Sequence, residues 1–166
     1  MVSYFKPLQL MEICYNKHKI RNCYLTTGGI FMCIFCDIVS GRVPVHKVYE
    51  DSIALAFLDI AQVTKGHTLV IPKEHCAHML ICDEETTLEV MRVARRVAQN
   101  ILEMTQAGGI HILTNVHEIA GQTVPHFHVH LIPRYDENDA VQIEFKESEP
   151  QNLKALAKLL YLEDLY

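Results

Sequence analysis

A chain of 166 residues, 49% hydrophobic and 21% charged, has enough apolar material for one sizeable buried core. The formal net charge of −5 argues against a general nucleic-acid binder, and no apolar run approaches a membrane span of about 20 residues. Six cysteines would permit disulfides, but so apolar a chain does not require them, and the close pair Cys33 and Cys36 is better read as metal-binding in a reducing cytoplasm.

Residues 1–31 carry scattered cysteines and basic groups with no helical or strand period, and no apolar stretch with a cleavage site marks a secretory signal. Regular patterning begins at a second methionine, in "MCIFCDIVSGRVP". The preceding "GGIF" includes a Gly-Gly pair whose codons can spell a purine-rich ribosome site. This suggests a natural start at Met32 with 1–31 as translated leader; a genuine flexible extension is the alternative. The domain proper is therefore expected over 32–166.

"VHKVYED" and "SIALAFLDI" read as two strands joined in a hairpin at Glu50–Asp51–Ser52, and "GHTLVIPK" as a third strand stopped by Pro72. From Asp83 to about Thr105 the apolar positions 90, 91, 94, 97, 98, 101 and 102 predict a long helix. Asp83 is its N-cap and Gly108–Gly109 its end. "GIHILTN" is a fourth strand and "HFHVHLIP" a fifth. A last helix within 150–163 is expected to bury Leu153, Leu156, Ala157 and Leu160. Hairpins with one long helix and a C-terminal helix indicate an α+β domain around an antiparallel sheet of about five strands.

The chemistry concentrates in "AGQTVPHFHVHLIPRY". Alternate residues of a strand share a face, so His126, His128 and His130 line one side while Phe127, Val129 and Leu131 turn to the core. A glycine turn followed by Gln122 and Thr123 places amide and hydroxyl donors beside the imidazoles, and His67 can add a fourth ring from a neighbouring strand. Such donors suit the charge that develops on a phosphoryl group, and a neutral imidazole can attack phosphorus. A packed amphipathic strand is the plain alternative. The residues alone leave a metal cluster and a phosphate site equally open.

"HFHVHLI" matches the His-φ-His-φ-His-φ-φ signature, φ being hydrophobic, and the chain resembles the histidine triad (HIT) superfamily of nucleotide hydrolases and transferases. With "CIFCDIVSGRVP" and "AFLDIAQVTKGHTLVIPKEH" it is similar to the Hint-type bacterial branch over about Met32 to Tyr135. The resemblance implies an HIT-like fold and cleavage of a nucleoside monophosphate from a phosphoramidate, acyl or dinucleoside polyphosphate partner. In that comparison His128 is the nucleophile, His130 binds the α-phosphate, His67 completes the polar wall, and Gln122 and Thr123 contact the phosphate. Asp59 accepts from the ribose hydroxyls, with Asn115 bordering the site. Ile34, Phe35, Ile38, Val43, Phe57 and Ile60 form the purine slot, with core packing the alternative for each.

Cys33-x-x-Cys36 alone could be a redox pair; with histidines downstream it becomes half of a tetrahedral zinc site. The resemblance selects His75 and His126 as the other ligands over His78, His111 and His117, and makes the zinc structural. It also implies a homodimer through the long helix and a strand edge. The rival readings are a nucleotidyl transferase, whose branch has Gln where this chain has His130, and a non-catalytic zinc-stabilised nucleotide- or partner-binding module.

Overall fold

The computed structural model describes residues 33–141 and 143–163; the expected start at Met32 and the reading of 1–31 lie outside the described residues. The domain is α+β. A short helix α1 (Ile34–Val39) precedes the strands β1 (Lys47–Glu50), β2 (Ala54–Leu58) and β3 (Thr68–Pro72). The long helix α2 (Glu84–Thr105), strands β4 (Gly109–Leu113) and β5 (Val129–Arg134), and helix α3 (Leu153–Leu160) follow. All strand pairs are antiparallel, and the sheet order β1-β2-β3-β5-β4 places β5 inside and leaves β4 as an open edge.

Strand alternation divides the interior into two layers. Ala54, Ala56, Val70, Phe127, Val129 and Leu131 pack beneath α2, against Val90, Val93, Ala94, Val97, Ala98 and Ile101. Leu55, Phe57, Leu69 and Ile71 face the other way, where Phe35 and Ile38 of α1 cover them. The imidazoles 126, 128 and 130 alternate with the first layer's Phe127, Val129 and Leu131 and so belong to the α1 side. That is the division the alternation predicted.

The hairpin, the third strand and the cap of α2 occur where expected. Asp51 turns the hairpin by accepting from Ile53 N and Ala54 N at 2.8 and 2.7 Å, and Asp83 accepts from Thr86 N at 2.8 Å. Two boundaries and one buried position differ. Helix α2 ends at Gln106, whose φ of 59° is left-handed, before the glycines; its N–H still reaches Leu102 O at 3.1 Å. Within α2, Val93 takes the buried place assigned to Met91, since the contact stripe runs at 90, 93, 94, 97, 98 and 101. Strand β5 begins at Val129, so His126 and His128 sit in the extended segment that feeds it.

The C-terminal helix forms but its expected burial does not. Leu153 and Leu160 remain 75% and 71% exposed, and Leu156 is at the surface as well, because no described element lies over α3. The sulfurs also depart from expectation: Cys76 and Cys82 form a disulfide across a sequence separation of 6. Among the described residues, no helix is long and apolar enough to cross a membrane.

Candidate active site and metal cluster

Two polar centres sit on the α1 side of the sheet, one on each flank of the approach to β5. In the first, the Cys33 Sγ lies 3.4 Å from His126 Nδ1, and the Cys36 Sγ 3.3 Å from His75 Nδ1. The two Nδ1 atoms are 3.2 Å apart, and Cys36 Sγ is 3.7 Å from His126 Nδ1. A tetrahedral zinc with ordinary Zn–S and Zn–N bonds would set N–N edges near ~3.3 Å and S–N edges near ~3.6 Å. The cluster thus has the dimensions of a Cys₂His₂ site before any ion is considered.

The hydrogen bonds behind the ligands fit as well. The His126 Nε2 lies 2.9 Å from Pro72 O, and a carbonyl can only accept, so Nε2 carries the proton and Nδ1 turns its lone pair toward the sulfurs. These four residues would hold zinc, which would tie α1 and the loop after β3 to the segment carrying His128. With every ligand a protein group, such an ion braces the fold and leaves no open coordination position.

The second centre contains His128, His130, His67 and Asp59. His128 is buried and donates from Nδ1 to the carbonyl of His126 at 2.6 Å, which leaves Nε2 as a bare lone pair. The carbonyl of His128 is itself held by the Thr114 hydroxyl at 2.7 Å, so backbone and ring are aimed together. Phe35 sets its ring edge-on to His128, with centroids 5.4 Å apart. Burial lowers the His128 pKa below its ordinary value, against the opposing hydrogen bond to the His126 carbonyl. A neutral, oriented and desolvated imidazole results.

His67, immediately before β3, and His130 of β5 are stacked with centroids 5.2 Å apart. The His67 Nδ1 donates to Ala61 O at 3.1 Å, with Asp59 Oδ2 3.7 Å away. Its Nε2 must then accept from His130 Nδ1, 3.0 Å away. In that tautomer His130 presents its own Nε2 as a lone pair and can donate to an anion only after gaining a proton. Burial, then His128 and His67, hold its pKa down to about 4, while a phosphate placed beside it would raise that value.

The sign of the pH effect follows. An unfolded histidine titrates near ~6.5, so on acidification the unfolded chain takes up this proton before the folded one does. Stability should fall as pH drops from about 6.5 towards 4, and His130→Gln should flatten that slope in urea midpoints measured from pH 7.5 to 4.5. Equal slopes for both proteins would contradict the assignment.

Not every expected residue joins these centres. The Gln122 amide is buried and used by the loop: Nε2 donates to Ala77 O at 2.6 Å and Val124 O at 3.0 Å, and Oε1 accepts from His117 N at 2.9 Å. Both of its N–H groups are engaged, so it clamps the loop and has no donor left for a phosphate. Gln122→Ala should therefore cost stability, about 2 kcal/mol by chemical denaturation, because backbone groups lose their partner. A change below ~0.5 kcal/mol would contradict the clamp. Thr123 is exposed, and Asn115 borders Gly121, where an added Cβ would stand 3.3 Å from the Asn115 Nδ2. Asp59 is half-buried at the site rim, with Oδ1 accepting from Ala61 N at 2.8 Å.

Of the apolar set, Phe35, Ile38 and Phe57 are buried in the α1-side core with Val43 packed against them. Ile34 and Ile60 lie at the surface, Ile60 fully exposed. Pattern reasoning passed over Thr114 and the carbonyls of Pro72, Ala61 and His126. The carbonyls carry no side-chain signal, and Thr114 had only its place at the end of "ILT".

Comparison with known proteins agrees with this arrangement. An HIT family protein of Bacillus anthracis superposes with a TM-score of 0.73 at 45% identity, covering 77% of this chain and 94% of its own. A zinc-bound histidine triad family protein of Mycobacterium smegmatis superposes at 0.62 with 36% identity, over 76% of this chain and 94% of its own. The adenosine 5'-monophosphoramidase hnt1 of Schizosaccharomyces pombe is 38% identical over 128 residues, 76% of this chain and 93% of that protein. Residues 40–137 match the HIT domain family model, so the histidine-rich strand, its sheet and the flanking helix together make this chain a member of the HIT domain family.

Proposed function

We propose that this protein is a nucleotide hydrolase that releases a purine nucleoside monophosphate from a leaving group carried on its α-phosphate. The observation that carries the reading is the His128 ring: Nδ1 is committed to the His126 carbonyl at 2.6 Å, and Nε2 is bare on a neutral imidazole. His128 Nε2 attacks the α-phosphorus, an N–P bond forms, and the bond to the leaving group breaks. Water then cleaves the N–P bond and frees His128 with the monophosphate. The resemblance of this chain to a named adenosine 5'-monophosphoramidase supports phosphoramidates as one substrate type, beside acyl-nucleotides and dinucleoside polyphosphates.

His130 takes a proton as the phosphate arrives and returns it through His67, whose Nδ1 side is anchored by Ala61 O and faces Asp59. Thr123 lies on the loop leading into the triad and offers a hydroxyl to the phosphate; Asp59 receives the ribose hydroxyls, with Asn115 beside the loop. Phe35, Ile38, Val43 and Phe57 form the apolar wall for the base, and Ile34 and Ile60 its rim. Cys33, Cys36, His75 and His126 would hold a zinc ion whose role is structural.

The enzyme works as a homodimer. The unpaired edge of β4, with Ile112 exposed, and the surface residues Leu88, Met91 and Met104 of α2 support that reading. Incubation with adenosine 5'-phosphoramidate should release AMP, and a panel with diadenosine polyphosphates and an acyl-adenylate ranks the leaving groups. Binding of AMP with no turnover on any member of the panel would leave only a binding module.

A further inference from the structure

The Cys76–Cys82 disulfide plays no part in the nucleotide chemistry, yet it closes the loop that follows His75 and holds the segment between His126 and His128. His75, adjacent to Cys76, offers its Nδ1 to the metal cluster. The carbonyl of Cys76 accepts from Phe127 N at 2.6 Å, between His126 and His128. The next carbonyl, Ala77 O, accepts from the Gln122 amide at 2.6 Å. Three consecutive residues thus supply a metal ligand, a hold on the triad segment and a hold on the loop before it.

The cross-link spans a sequence separation of only 6, so it joins no separate elements of the fold. It closes one loop, whose Cys76, Met79 and Cys82 side chains rest on the α2-side core. Both cysteines are only partly buried, within reach of a small thiol or disulfide. A bond in this place therefore orders the loop bearing His75 without being needed to hold the sheet together.

We propose that Cys76 and Cys82 are a reversible redox site, and that closing the disulfide tightens the hold of the Cys33, Cys36, His75 and His126 cluster on its ion. The coupling rests on the zinc reading of that cluster; the redox site itself does not. The chemistry is exchange with a low-molecular-weight disulfide. One protein sulfur, as thiolate, attacks a reagent sulfur and expels one small thiol, forming a mixed disulfide. The other protein sulfur then attacks the first and expels the second small thiol. The two protein sulfurs lose two electrons, the reagent disulfide gains them, and both protons leave with the small thiols.

The test uses the full chain loaded with zinc and equilibrated over a series of reduced-to-oxidised glutathione ratios. Trypsin cleavage after Lys73 and Arg92 leaves both sulfurs on one peptide, 74–92, which escapes alkylation and is two hydrogens lighter when the bond is closed. A chromogenic chelator then reads the rate of zinc release. The oxidised protein should release zinc about tenfold more slowly than the reduced one, the scale of losing a group that supports a metal ligand from behind. Cys82→Ser, and separately Cys76→Ser, should release it at the reduced rate whatever the glutathione ratio. A peptide that stays a dithiol at every ratio overturns the redox site. Equal release rates overturn the coupling, as does faster release from the oxidised chain, which would mark oxidation of the ligand thiols instead. A chain that binds no zinc sinks the metal reading and the coupling with it, while the peptide mass still reports on the disulfide independently.

Discussion

Replacing His128 with alanine should reduce AMP release at least a thousandfold while leaving AMP binding within a few-fold of the native protein. The asymmetry follows from the proposed mechanism, in which the imidazole contributes a covalent bond along the reaction path, whereas the apolar wall and Asp59 would continue to meet the base and ribose. Fold should survive, since the removed ring donates only to the carbonyl of His126 two residues upstream. Burst kinetics with the native enzyme and mass analysis of a quenched reaction should place the nucleotidyl group on the peptide containing His128. A variant that keeps native turnover, or a label found only on another residue, would rule out this nucleophile. Thr114→Val is a milder companion: it frees the His128 carbonyl from a 2.7 Å hydrogen bond and should lower kcat more than it changes KM.

Removing the ion should be the largest single perturbation of stability. Chelated protein keeps two sulfurs and two imidazoles within 4.8 Å of one another with no positive centre to share. Zinc in small structural sites contributes far more, but a loss of even about 3 kcal/mol would lower the Tm of a chain this size by about 10 °C. Elemental analysis should find close to one zinc per chain, and Cys36→Ser should lose both the metal and the thermal increment. Turnover should fall too, because His126 would bind the metal and its carbonyl orients His128. Metal-free protein with an unchanged Tm after chelation would refute the structural role.

The two centres were unequally readable from the chain. Alternation in "HFHVHLI" assigned the faces correctly, because apolar Phe127, Val129 and Leu131 must reach a core and strand geometry then turns the histidines away. The long helix was equally plain from its period and the Asp83 cap. The end of α2 was misplaced because Gln106 adopts the left-handed conformation that glycine usually takes. The exposed leucines of α3 show the limit of periodicity: it reveals that a helix has an apolar side but not that anything within the same chain covers it. Gln122 shows another limit, since an amide beside a phosphate-type loop could face the ligand or the loop, and only the positions of Ala77, Val124 and His117 resolved it.

By itself, then, the amino-acid order determined the element types, the side of the strand that carries the imidazoles, and the family. These follow from local steric periods and from the spacing of chemically distinctive side chains. Tertiary structure alone decided the tautomer of each histidine ring. Which nitrogen of each ring bears a proton depends on carbonyls of Pro72, Ala61 and His126, groups that every residue possesses and that acquire meaning only when folding brings them within hydrogen-bond distance.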